Sequence, residues 1–116
     1  MLHILVTLML VMPGQTPVLE VAKQTVKSGI HIQTLVLNVR GQLGRRPREL
    51  AQSDITILEN GVVQPISVFV RHTENPKVTR YELGYTVTDP TPGLTKRVEI
   101  RVRGLRRKLV AEFTSR

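Results

Sequence analysis

Cysteine is absent from this 116-residue chain, and so is tryptophan. The first absence removes disulfides, thiolate metal sites, cysteine nucleophiles and a cysteine-linked lipid anchor. The second, with only two phenylalanines and two tyrosines, leaves the core to aliphatic side chains and leaves few rings on which nucleobases could stack. Negative charge is scarce: nine Asp and Glu stand against seventeen Lys and Arg, for a net charge of +8. No apolar run reaches the roughly 20 residues that a membrane-spanning helix needs. The longest, residues 1–12 (MLHILVTLMLVM), falls well short of that length.

Signatures of catalysis and metal binding are missing too. His3, His31 and His72 have no partner histidine three or four residues away, and no calcium-loop cluster of acids occurs. Ser28, Ser53, Ser67 and Ser115 sit in no Gly-x-Ser-x-Gly elbow. Gly41-x-x-Gly44 lacks the Lys-Ser/Thr pair and the helix that a phosphate loop requires. Acid–base chemistry would need Asp54, Glu59, Glu82 and Asp89 to converge from scattered positions. The expectation is a non-enzymatic protein with no cofactor.

What the chain does have is β-branched content and period-two alternation. Residues 1–17 read as an apolar leader: the run has the length of an export-signal core and Pro13-Gly14 ends it, although no Lys or Arg precedes it. The expected organisation is that leader followed by one domain over residues 18–116. Residues 18–27 fit a short amphipathic helix or a strand, with Val18, Val21, Ala22 and Val26 at helical spacing. Residues 30–40 predict a strand whose inward phase shifts from Ile30 and Ile32 to Leu35, Leu37 and Val39, implying a bulge near Thr34. Residues 41–47 predict a turn, with Leu50 tucked beneath it.

Residues 54–59 alternate around Ile55 and Ile57, and Asn60-Gly61 is a strong hairpin signal because both residues tolerate positive φ. The return strand, residues 62–71, contains Pro65, which implies an edge or a break. On it Ile66, Val68 and Val70 share one face and Phe69 takes the other. Residues 72–80 read as a polar connecting loop. Tyr81, Leu83, Tyr85 and Val87 then share one strand face, and Asp89–Gly93 is a turn cluster. Val98, Ile100 and Val102 alternate with Arg97, Glu99, Arg101 and Arg103, and Leu109, Ala111 and Phe113 share the face of a last strand. This predicts an all-β fold: an immunoglobulin-like or transthyretin-like β-sandwich of six to seven short strands, mostly antiparallel.

Positive charge concentrates at the C-terminal end, where residues 92–116 hold eight basic residues against two acidic ones. Arg97, Arg101 and Arg103 alternate on one strand face, and Arg106, Arg107 and Lys108 extend the stripe. These six residues form the candidate surface for an anionic partner. Nucleic acid is the alternative ligand; it would want outward aromatics, whereas Tyr81 and Tyr85 lie in the apolar phase of their strand.

Two segments also carry a resemblance. Gly44, Arg45, Pro47, Leu50, Asp54, Ile55, Ile57, Glu59, Asn60, Gly61, Gln64, Ile66 and Phe69 form one ordered pattern, and Tyr81-Glu82-Leu83-Gly84-Tyr85-Thr86 forms another, followed by a Pro/Gly turn and an alternating basic–apolar strand. Together they resemble the β-rich flanks of bacterial von Willebrand factor A-related proteins. The A domain itself, with its Asp-x-Ser-x-Ser metal motif, has no counterpart here; it would fall within residues 71–80. The resemblance implies an exported β-sandwich in the periplasm, the cell envelope or the secreted space, and it carries over no metal-dependent binding. The expected function is thus a non-enzymatic interaction module for a protein or anionic cell-surface partner, engaged through the cationic strand face or a strand edge. The alternative is a cytoplasmic nucleic-acid-binding domain.

Overall fold

A computed structural model describes residues 7–9, 15–41, 45–105 and 108–115. Nine strands and one short 3-10 turn make up the described secondary structure, and every strand pair is antiparallel. The strands are β1 (Thr7–Met9), β2 (Gln15–Lys27), β3 (Ile30–Gly41), β4 (Ile55–Glu59), β5 (Val62–Gln64), β6 (Val68–Asn75), β7 (Val78–Thr86), β8 (Thr95–Val102) and β9 (Leu109–Thr114). The first sheet runs β1-β2-β3-β7-β6 and the second β5-β4-β8-β9. With β1 set aside, that order is the immunoglobulin one, A-B-E-D facing C-F-G with one added strand beside C. No helix among the described residues is long and apolar enough to cross a membrane.

Alternation builds the core. Leu19 and Val21 of β2, Leu35, Leu37 and Val39 of β3, and Tyr81, Leu83 and Tyr85 of β7 face inward from the first sheet. Ile55 and Ile57 of β4, Val98, Ile100 and Val102 of β8, and Leu109, Ala111 and Phe113 of β9 meet them in one cluster. Leu50, which precedes β4, closes one end and is 1% exposed.

Several expectations change at the level of single strands. The nine strands exceed the six or seven expected because Thr7–Met9 pairs with residues 18–20 as an edge strand and because the return strand is cut in two. Pro65 supplies no N–H for a ladder, so β5 ends at Gln64 in the second sheet and β6 begins at Val68 in the first. Val68 and Val70 share the outer face and Phe69 takes the other, as expected, packing inward beside Tyr81 with ring centroids 5.9 Å apart; the break changes only Ile66, which packs on the core from the crossover instead of sharing the valine face.

Residues 18–27 belong to a strand, not a helix. The bulge lies in β2 between Val21 and Gln24, opposite the place expected for it in β3. In β3 the inward phase never flips, because Gln33 occupies it: its amide donates to Lys23 O at 3.2 Å and Thr34 O at 3.0 Å, satisfying carbonyls at the bulge. Residues 72–80 are not a loop but the tight end of the β6–β7 hairpin, where the Asn75 side chain accepts the Lys77 N–H. Ser28-Gly29 and Asn60-Gly61 both turn with two positive φ angles, as two-residue hairpins require. Of the leader, residues 1–6 and 10–14 lie outside the described residues, as do residues 42–44 of the expected turn.

Gly84 is fixed by close approach. A Cβ there would lie 2.9 Å from Val68 Cβ and 3.3 Å from Ile32 Cγ2. Gly84→Ala therefore pushes apart β6, β7 and β3 on the outer face of the first sheet. A loss of about 1–3 kcal/mol in stability is expected from such overpacking, read as a lower urea midpoint; an unchanged midpoint would show that β6 is not held against β7 as described.

Candidate functional site

The cationic stripe forms on β8 because Val98, Ile100 and Val102 take the inward phase and leave the odd-numbered residues outside. Arg97, Arg101 and Arg103 are exposed, and Lys108 is exposed just before β9. Arg106 and Arg107 lie outside the described residues. Alternate residues on a strand stand about 6.6 Å apart, so the face holds its charges at fixed intervals.

The stripe is not uniformly positive. Glu99 sits among the arginines and is only 8% exposed. Arg101 Nε lies 2.6 Å from Glu99 Oε2, and Lys108 Nζ lies 3.4 Å from Glu99 Oε1. Arg103 Nε is 3.7 Å from Asp54 Oδ1, while the Arg103 carbonyl accepts from Arg48 Nη2 at 2.7 Å. Arg97 faces Glu112 across the β8–β9 register, and its N–H is accepted by Asn60 Oδ1 at 2.9 Å. Leu58 shares this outer phase opposite Glu99 and is buried, so the charged side chains lie over an apolar floor. Burial pushes the Glu99 carboxyl up, but the hydrogen bond and charge of Arg101, joined by Lys108, outweigh it and hold the group below the ordinary glutamate value.

A second polar constellation lies inside the sandwich. Tyr85 Oη donates to Glu59 Oε2 at 2.8 Å, joining β7 of the first sheet to β4 of the second. Glu59 Oε1 accepts the Thr88 N–H at 3.2 Å, and Lys96 Nζ donates to the Thr88 carbonyl at 2.5 Å. Glu59 and Lys96 are 3% and 4% exposed. Tyr81 Oη accepts the Leu50 N–H at 2.8 Å. Burial raises the phenol pKa of both tyrosines, Tyr85 further because its hydroxyl meets the Glu59 carboxyl. Sequence reasoning passed over Glu59 and Lys96 as binding groups of the interior. Their parity was the available signal: Glu59 continues the inward phase of Ile55 and Ile57, and Lys96 that of Val98 and Ile100.

The scattered carboxylates do not meet. Asp54 goes to Arg103, Glu59 to Tyr85, Glu82 to His72 at 2.9 Å, and Asp89 to Thr91. Among the described residues no three His, Cys, Asp or Glu side chains converge as metal ligands. Comparison of the chain with family models, with curated proteins and with solved structures finds no match.

Two outcomes follow from this geometry. Tyr81→Phe leaves the buried Leu50 N–H without its acceptor, and Tyr85→Phe leaves Glu59 without its strongest donor; each is expected to cost about 1–3 kcal/mol. Urea unfolding measures it, and losses within a few tenths of a kcal/mol would contradict the bridging role. The depressed Glu99 pKa means that its pairs stabilise the fold above the ordinary glutamate value and that this contribution is lost as pH falls through the lower, folded value. A carbon-13 titration of the Glu99 carboxyl is expected to give a midpoint below that of a free glutamate. In Arg101→Ala/Lys108→Ala the midpoint rises, because the burial penalty remains without its compensation; an unmoved midpoint contradicts the pairing.

Proposed function

We propose that this chain is a non-enzymatic interaction module that docks an anionic protein or cell-surface partner on the face formed by Arg97, Arg101, Arg103 and Lys108, with Arg106 and Arg107 continuing it in sequence. The observation that carries the reading is the outward alternation of arginines on β8, a central strand of its sheet. A paired strand gives these cations a rigid base, which lowers the ordering cost of binding. Glu99 fixes Arg101 and Lys108 in place and lowers the raw field. The surface is thus patterned, and it favours a partner whose negative groups are spaced to match its cations.

Nucleic acid is the weaker reading. Tyr81 and Tyr85 are fully buried and Phe113 nearly so, which leaves charge without stacking platforms. The proposed relationship to von Willebrand factor A-related flanks gains physical support from the β6–β7 hairpin. Its tip, residues 75–78, brings the two flanking strands side by side, so an inserted domain could enter and leave there without disturbing the sandwich. Gly44 of that pattern lies outside the described residues. An exported location goes with the same relationship.

The test is binding to an immobilised acidic glycan and to duplex DNA across a salt series. The protein is expected to bind the glycan at low salt, with affinity falling as salt rises. Arg97→Glu/Arg103→Glu is expected to weaken it by about tenfold or more. No glycan binding at low salt, or an unaffected double variant, overturns the reading. DNA affinity that exceeds the glycan's and drops steeply with salt transfers it to nucleic acid.

A further inference from the structure

The first sheet ends at β6, which pairs with β7 on one side and with no strand among the described residues on the other. The other short edges are guarded. β5 is three residues long and is stopped by Pro65, and β9 lies beside β1 and β2. β6 is eight residues long and contains neither proline nor lysine, two of the protections of an edge strand. Its one irregularity, between His72 and Asn75, is confined to the hairpin tip. Val68 and Val70 stand on its outer face, 41% and 42% exposed.

The opposite phase of the same strand borders a cleft of about 200 Å³. Arg71 and Thr73 of β6 line one wall, and Arg46, Pro47 and Glu49 of the β3–β4 connection line the other. Arg71 Nη1 lies 3.2 Å from Glu49 Oε1, and the Glu49 side chain is 70% exposed. An ion pair so open to water is worth little, and an incoming carboxylate can replace Glu49 on Arg71. Arg46, exposed on the facing wall, gives the cleft a second cation against that single acid.

We infer that β6 is a strand-addition site for an extended peptide segment in which apolar and acidic residues alternate. The peptide backbone continues the first sheet along the free edge of β6. Its apolar side chains lie against Val68 and Val70, and its acidic side chains, on the alternate phase, enter the cleft between Arg46 and Arg71. Main-chain pairing supplies affinity and the alternation supplies selectivity, as in other strand-addition complexes. This surface belongs to the first sheet and is separate from the β8 face, so it stands or falls independently of that face.

The experiment is fluorescence anisotropy with a labelled peptide of alternating Val and Glu, against a Val/Lys counterpart and against a Val/Glu peptide interrupted by proline. Saturable binding of the Val/Glu peptide is expected, about tenfold or more tighter than either control. Val70→Lys and Arg71→Glu, each checked for folding by circular dichroism, are expected to weaken it by a similar factor. Arg97→Glu/Arg103→Glu is expected to leave it unchanged. Absence of saturable binding overturns the proposal. So does equal binding of the Val/Lys peptide, or loss confined to Arg97→Glu/Arg103→Glu. A wild-type dimer that Val70→Lys converts to monomer gives the edge to a second copy of the chain and likewise overturns the peptide assignment.

Discussion

Two phenol hydroxyls on one strand fix how the layers of this sandwich meet. Apolar burial drives the sheets together but does not by itself choose their relative placement. In antibody domains an inter-sheet disulfide with a tryptophan packed on it makes that choice, and this chain has neither cysteine nor tryptophan. Tyr81 and Tyr85 take over the task from β7. Four residues apart, they reach points about 13 Å apart along the strand: the Leu50 N–H at the connection leading into β4, and the Glu59 carboxyl at the far end of β4. Strand β4 is thereby tied to the opposite sheet at Glu59, and the connection ahead of it is tied at Leu50.

That tie propagates to the surface. Glu59 also holds the Thr88 N–H, and Lys96 holds the Thr88 carbonyl, so both sides of one residue in the β7–β8 connection are anchored inside the fold. Lys96 occupies the inward position at the start of β8, in phase with Val98, Ile100 and Val102, whose burial sets the parity of the strand. Arg97, Glu99, Arg101 and Arg103 are left outside. The buried network and the cationic face are thus held on the two phases of one strand, and Glu99 organises the cations that surround it.

Much of this was legible from alternation alone. The inward sets of β7, β8 and β9, the Asn60-Gly61 hairpin and the all-β sandwich all follow from period two and turn chemistry. What alternation could not give was the partner across the gap. Pro65 signalled a break, but nothing local said that the chain would change sheets there, and that change took Ile66 off the face it was expected to share with Val68 and Val70. Gln33 misled for a related reason: a buried amide in the inward phase looks like a phase error until the carbonyls exposed by a bulge in the neighbouring strand are seen. Glu59 and Lys96 were legible in parity and illegible in chemistry, because a charged residue in an inward position is readable only once its donors and acceptors are known. The candidate surface was readable as a stripe of cations, while its pairing with Glu99 and Asp54 required the register of three strands.

Native-state amide hydrogen exchange at Leu50 and Thr88 probes the clamp most directly. Neither residue lies in a strand, so an unclamped connection would exchange both amides as quickly as exposed loops do. Slow exchange is expected at both, with opening free energies close to those of core amides such as Leu83 and Ile100. Fast, loop-like exchange at Leu50 and Thr88 alongside protected β7 and β8 amides would contradict the clamp.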